Sequence, residues 1–211
     1  MPKHKRKIYV VGGSDHYANW MQGSVVDTVE ESDLVLFTGG EDVHPVLYGE
    51  TAHRATWPNL IRDKFEIRYY EKAKRLGKPM IGICRGAQLL CVLAGGSLVQ
   101  HQSHPSVHEI LTKDGRKIEV TSLHHQRQYP WGNRGAKVEL IGWSDNLSPF
   151  NHGADPTIDL SGKEEVEIAR YPDSKALAIQ SHPEMCYPTM STWEKKYLDY
   201  CRELLDDHMT K

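Results

Sequence analysis

No stretch of this chain is apolar for long enough to cross a bilayer or to form the core of an export signal. The basic start, Met1-Pro2-Lys3-His4-Lys5-Arg6-Lys7, runs into Ile8-Tyr9-Val10-Val11 and then glycine, so neither export nor a membrane anchor is expected. Charge of one sign is lacking too. With 26 basic and 28 acidic residues the formal net charge is -2. That offers no overall field to nucleic acid or to an anionic membrane, and leaves a small molecule as the expected partner. Cysteine is sparse, at 84, 91, 186 and 201, and shows no C-x-x-C spacing. Without a signal sequence, these are expected to be free thiols in a reducing compartment, the cytoplasm. Internal repeats and low-complexity segments are absent. Gly12-Gly13-Ser14 lacks the spacing of a dinucleotide fingerprint and reads as a plain turn. His101, His104 and His108 have intervals that suit one helical face, but Pro105 would break that helix and no Asp or Cys completes a metal shell. Neither a metal nor an organic cofactor is therefore expected. At 211 residues the chain can bury one sizeable core and is short for two enzymatic domains, so a single domain over 1–211 is expected.

What the chain does contain is an apolar run that ends on a cysteine. Lys78-Pro79-Met80-Ile81-Gly82-Ile83-Cys84-Arg85-Gly86-Ala87-Gln88-Leu89-Leu90 reads as strand, sharp turn and helix, with Cys84 at the turn and Gly95-Gly96 ending the helix. Gly82 and Gly86 lie two residues before and two after Cys84, where a tight strand-to-helix turn crowds its flanks and a side chain would push the elements apart. A cysteine at a helix start meets backbone N–H groups that have no partner inside the helix, and their partial positive charge favours a thiolate. The N–H of Arg85 points where an oxyanion would develop if Cys84 attacked a carbonyl. The same motif also fits a buried structural cysteine at an ordinary turn, and the motif alone does not separate the two readings. Cys91, seven residues on and on roughly the same face, reads as packing.

The elements around this turn alternate as an α/β sheet requires. Residues 7–11 read as a first strand and 33–37 as a second, continuous and apolar like a buried parallel strand, ending in Thr38-Gly39-Gly40. That glycine pair is either a turn or a place where backbone approaches substrate, with the N–H of Gly40 as a second oxyanion donor. Residues 59–77 carry Leu60, Ile61, Phe65, Tyr69, Ala73 and Leu76 near a helical repeat and predict an amphipathic helix feeding the 79–83 strand. Shorter strand-like runs follow at 117–123, 136–141, 166–171 and 176–180, with Asp114-Gly115 as a hairpin signal. The polar stretch 143–165 reads as a lid or an insertion. Ser191-Thr192-Trp193-Glu194 has capping-box spacing and opens a last helix with Trp193, Tyr197, Cys201 and Leu204 on one face.

A thiolate nucleophile needs a base, and the base needs a group to orient it. Ile179-Gln180-Ser181-His182-Pro183-Glu184 supplies both, because residues two apart at a strand end share a face and Pro183 stiffens the link. His124 and His125, adjacent in Thr121-Ser122-Leu123-His124-His125-Gln126, read either as surface residues or as substrate contacts.

With these residues in place the chain resembles the class I glutamine amidotransferase superfamily, and within it the gamma-glutamyl hydrolase branch that includes gamma-glutamyl-gamma-aminobutyrate hydrolases. The resemblance is carried by Thr38 to Glu50, Arg62-Asp63-Lys64-Phe65-Glu66, Gly82 to Gln88, Gly95 to Gln100, Thr121 to Gln126 and Gln180 to Glu184, in family order. It implies an α/β flavodoxin-like three-layer sandwich, with a mostly parallel central sheet, helices on both faces and a small antiparallel addition. It implies a triad of Cys84, His182 and Glu184, an oxyanion hole from Arg85 and a glycine of the Gly39-Gly40 pair, and substrate contacts near Gln88, Ser122, His124 and His125. Two departures stand out. Position 181 is Ser where the family usually has a large aromatic, which would leave room for a leaving group larger than ammonia or change how the histidine is backed. The region 14–31 looks abbreviated. The expected activity is hydrolysis of a gamma-glutamyl amide through a glutamyl thioester. The alternatives are a glutaminase subunit that passes ammonia to a separate synthetase, and a catalytically idle binding module.

Overall fold

The computed structural model describes residues 5–12, 14–102, 106–144, 150–151, 164–186 and 191–211. Among them run β1 (Lys7–Val11), β2 (Ser24–Val25), β3 (Leu34–Phe37), α1 (Leu60–Arg75), β4 (Met80–Ile83) and α2 (Arg85–Leu93). Then come β5 (Val107–Thr112), β6 (Lys117–Thr121), β7 (Glu139–Ser144), β8 (Glu165–Tyr171), β9 (Ala176–Ile179) and α3 (Thr192–His208). These nine strands form one sheet in the order β2-β1-β3-β4-β9-β8-β7-β5-β6. The first five pair in parallel and the rest continue the sheet antiparallel, ending in the β5–β6 hairpin that Asp114-Gly115 turns. The strands that surround Cys84 are the parallel ones.

Strand alternation divides the core into two layers. Leu34, Leu36, Ile81, Ile83, Leu177 and Ile179 pack with Tyr197, Cys201 and Leu205 of α3. Val35, Phe37, Met80, Ala176 and Ala178 face the other way, against Tyr70 and Ala73 of α1 and Leu89 and Leu90 of α2. Helices thus cover both faces, as the three-layer reading requires. The α2 helix is buried along residues 85–92, and the small side chains of Ala176 and Ala178 beneath it let it sit close to the sheet.

The two long helices differ from expectation in opposite degrees. The capping box at Ser191 is formed: its hydroxyl accepts from the N–H of Glu194, whose carboxylate accepts from the N–H of Ser191 at 2.8 Å. The buried face of α3 is Tyr197, Leu198, Tyr200, Cys201, Leu205 and His208, with Trp193 and Leu204 at its margin. In α1 the expected apolar face is only partly the buried one, with Ala73 inside as expected. Ile61 is 84% exposed, Phe65 and Leu76 are also exposed, and the residues turned inward are Asp63, Glu66, Tyr70 and Ala73. The physical reason is a buried guanidinium across the interface, described below. Most of the 143–165 stretch lies outside the described residues, as does His104; His101 and His108 stand on strands, not on a helix.

Candidate active site

Cys84 sits between β4 and α2 with φ 51° and ψ -108°, a left-handed conformation unusual for a residue with a side chain. Its N–H bonds to the Ile179 carbonyl at 2.8 Å, and its own carbonyl accepts from the N–H of Gln88 at 3.1 Å, so the strained residue is held from the sheet and from the helix. The flanking glycines are required for packing. A Cβ at position 82 would lie 2.4 Å from the Gly86 carbonyl, and one at 86 would lie 2.2 Å from the Phe37 carbonyl. This is the nucleophile-elbow geometry: the strand turns sharply and presents the sulfur at the start of a helix.

The register of the parallel strands gathers the other groups. Ile83 of β4 pairs with Ile179 of β9, and Gly82 pairs with Phe37 of β3. The chain leaving each strand therefore emerges at one carboxyl edge, where α/β sheets hold their ligands. From β9 comes His182, whose backbone N–H donates to Thr121 Oγ1 at 3.0 Å. Its Nδ1 lies 2.6 Å from Glu184 Oε1, and its ring is close enough to Cys84 to interact with that side chain and its charge. The pairing arises differently from the strand-end alternation anticipated. β9 stops at Ile179, and Glu184 lies on a short 3-10 turn, Pro183–Met185, that folds its carboxylate back onto the imidazole. Burial pushes the His182 pKa down, but hydrogen bonds from Cys84 and Glu184, with their negative charges, outweigh it and raise the pKa to about 10.

From β3 comes Thr38-Gly39-Gly40. The position of a Cβ at Gly39 is 3.4 Å from His182 Cε1 and 2.7 Å from the Tyr17 hydroxyl, so this backbone lies directly against His182. Gly40 has φ 141°, a conformation that side chains rarely adopt, and a Cβ there would fall 2.0 Å from Arg62 Nη1. Arg62 donates from Nη2 to the Gly39 carbonyl at 2.7 Å and to Thr38 Oγ1 at 3.1 Å. It also donates to Glu41 at 2.6 Å and, from Nε, to Glu66 at 2.9 Å. The second oxygen of Glu66 accepts from Arg85, which also bonds Asp63 at 2.5 Å; Asp63 in turn accepts from the N–H of His44 at 2.9 Å. All but Arg62 and Glu41 in this ionic network are essentially without solvent contact.

The sequence model of the family described as Peptidase C26 matches residues 18–129. The chain belongs to that family. The matched span holds Gly40, Cys84, Arg85, Gln88 and Ser122 to His125, whereas His182 and Glu184 lie beyond it. The chain is similar to a glutamine amidotransferase-like protein, YvdE, of Lactococcus lactis, at 30% identity over 190 residues, covering 79% of this chain and 70% of that one. A Mycobacterium tuberculosis relative, also named for glutamine amidotransferase, is 31% identical over 173 residues, which span 77% of this chain and 53% of the relative. Among solved structures, PurLQS from Thermotoga maritima superposes with a TM-score of 0.62 at 14% identity, covering 96% of this chain and 99% of that one. A likeness at that identity establishes a shared fold.

Within this C26 fold, the residues anticipated as substrate contacts occupy unequal positions. Gln88 is buried, and its amide donates to the Gln126 carbonyl at 2.8 Å, tying α2 to the 121–126 segment. His124 also turns inward: one ring nitrogen is 2.8 Å from the Gln126 carbonyl and the other 3.3 Å from Ser122 Oγ. His125 is the outward one, with its ring between Asp42 at 3.2 Å and His101 at 3.3 Å. Ser181 needs a correction. It is fully buried and its hydroxyl pairs with Tyr197 at 2.6 Å beneath α3, so it adds no room for a leaving group. Tyr17 is a site residue that sequence reasoning missed. It stands on a short helix, Asp15–Met21, and burial, then the charges of Glu184 and Cys84, raise its pKa. Nothing in its local pattern marks it, because its neighbours at the site lie on three other segments. Among the described residues no group of three His, Cys, Asp or Glu is placed to hold a metal ion, and no helix is long and apolar enough to cross a membrane.

Proposed function

We propose that this C26 chain is a thiol hydrolase of a gamma-glutamyl amide, either glutamine or a gamma-glutamyl amine. The observation that carries the reading is the elbow geometry of Cys84 together with His182, whose ring interacts with Cys84 and is joined to Glu184 at 2.6 Å. The Cys84 thiolate attacks the side-chain carbonyl carbon, and the N–H groups of Arg85 and Gly40 receive the oxyanion. His182 gives its proton to the departing amine, leaving a glutamyl thioester. Water then loses a proton to His182, adds to the thioester carbon and expels the thiolate, releasing glutamate. The pKa balance suits both halves. While the sulfur is anionic it supports the imidazolium, which is an acid ready for the amine. Once the sulfur is acylated that support disappears, and the imidazole becomes available as a base. Glu184 holds the ring's orientation throughout.

We place the reaction in a single domain over 1–211, in the cytoplasm, and independent of metal, organic cofactor or a second protein. Free, buried cysteines fit a reducing compartment. The purified chain, incubated with glutamine and a panel of gamma-glutamyl amines, is expected to release glutamate steadily, and Cys84→Ala to release none. Alkylation near neutral pH should label Cys84 first, because burial pushes Cys91 and Cys186 up to about 12 and raises Cys201 as well. If Cys84 reacts with a glutamine-analogue electrophile but the isolated chain turns over no gamma-glutamyl amide, a glutaminase that requires a synthetase partner replaces this reading. If Cys84 does not react at all, the idle binding module does.

A further inference from the structure

We infer that Arg62 is a positioning residue that holds the Gly39–Gly40 peptide with its N–H turned toward the substrate oxyanion, and that Glu66 couples this peptide to the second donor through Arg85. The inference rests on the proposed hydrolase reading for the word oxyanion, and on geometry alone for the rest. The Gly39 carbonyl and the Gly40 N–H belong to one planar trans peptide, so they point in opposite directions. Arg62 takes the carbonyl at 2.7 Å, which commits the N–H to the side away from the guanidinium. His182 packs against Gly39, so the peptide that Arg62 orients is in the site itself. Only glycine at 40 lets the guanidinium lie against the backbone there, and its φ of 141° is one that proline, fixed near -65°, cannot adopt. Deleting the N–H by proline would therefore disturb the whole loop. Arg62 offers the cleaner test.

The network around Arg62 has a form that stability alone does not explain. Buried ion pairs are weak contributors to stability, since desolvation offsets their attraction, and apolar replacements often serve as well. Here two guanidiniums and the carboxylates of Asp63 and Glu66 are drawn into α1's buried side while Ile61 and Phe65 are left outside. What the network does fix is orientation. Arg85, whose N–H is one donor, has its side chain held by Asp63 and Glu66; Glu66 holds Arg62 through its other oxygen; and Arg62 holds the peptide of the other donor. A guanidinium is required for this, because its planar fork reaches the Gly39 carbonyl, Thr38, Glu41 and Glu66 together, whereas an ammonium is a single point charge on a flexible stem.

The test combines Arg62→Ala and Arg62→Lys in the full chain. Losing one oxyanion donor lowers turnover by about 100-fold or more, so kcat should fall by that order in both variants while KM changes little. Added guanidinium chloride at low concentration should restore part of the Arg62→Ala activity, an effect that a merely structural arginine would not show. Alkylation of Cys84 by chloroacetamide, which needs no oxyanion hole, should stay near the wild-type rate. A crystal structure of either folded variant decides the matter: a turned Gly39–Gly40 peptide supports the inference, and an unchanged one overturns it. Wild-type kcat in Arg62→Ala would overturn it as well. If the wild-type chain hydrolyses no gamma-glutamyl amide, the hydrolase reading fails by itself, and the peptide's orientation in the variant still judges Arg62.

Discussion

The helices α1 and α3 are nearly equal in length, 16 and 17 residues, and both cap their first turn with a side chain, Asn59 and Ser191. They obey different rules inside. α3 buries Tyr197, Leu198, Cys201 and Leu205 against the sheet, the arrangement that apolar periodicity predicts. α1 buries Asp63 and Glu66 and leaves Ile61 and Phe65 in solvent. The difference follows from what each helix meets. α3 lies over isoleucines and leucines of the central strands, whereas α1 lies beside Arg85, a guanidinium that enters the protein because its residue begins the helix after Cys84. A buried cation must find anions, and α1 is where they are. One helix is held by apolar contact and the other by the demands of the site.

The largest expected effect breaks that contrast on the α1 side. Glu66→Ala leaves Arg85 and Arg62 each short of a carboxylate, and should destabilise the fold by about 3–5 kcal/mol in urea unfolding while also depressing turnover. Replacing the buried charges together, as Asp63→Leu, Glu66→Leu and Arg85→Met, should recover much of the stability and little of the turnover. Recovery of both would mean that the network is there only to hold the fold.

On the α3 side, Leu205→Ala removes a fully buried side chain from an apolar layer and should cost about 2–5 kcal/mol in the same unfolding experiment. Glutamate release per folded molecule should be unchanged. A drop in kcat under conditions where the variant is fully folded would blur the distinction between the two helices.

Two buried histidines extend the comparison to pH. His182, at the site, has its pKa raised to about 10; the folded state therefore binds its proton more tightly, and this contribution is full below the ordinary value near 6.5 and is lost as pH rises toward 10. His208, on α3, is lowered to about 4, by burial first and then by the Arg170 charge. Its neutral ring accounts for stability present above 6.5 and lost as pH falls toward 4. NMR titration of the two rings should show midpoints on opposite sides of 6.5, and Cys84→Ala should move only that of His182, downward. A His182 midpoint unaffected by Cys84→Ala would separate the histidine from the sulfur.

The smallest effect is the most direct check of α1's orientation. Ile61→Ser, at a position 84% exposed, should change stability by no more than about 0.5 kcal/mol. An apolar face turned inward would have made the same substitution costly.

Those outcomes concern the features that sequence reasoning handled least well. The strand-turn-helix around Cys84 was readable because the requirement is local: two glycines within two residues of the cysteine meet backbone atoms of the same turn and of the adjacent strand. The capping box and the Asp114-Gly115 turn were readable for the same reason. His182 and Glu184 were found as a pair, although through the wrong local geometry, since a 3-10 turn brings them together and not a strand.

What the sequence by itself determined was whatever depends on neighbours along the chain, namely the elbow, the caps, the alternation of strand and helix, and the pairing of His182 with Glu184. The tertiary structure decided which face of α1 is buried, that Ser181 looks into the core toward Tyr197, that Tyr17 reaches the site, and that Arg62 grips the Gly39 carbonyl. Each of these depends on a partner far off in sequence. A periodic pattern specifies that a helix has two faces, but whether apolar or charged groups turn inward depends on what waits on the other side, and here that was the side chain of Arg85.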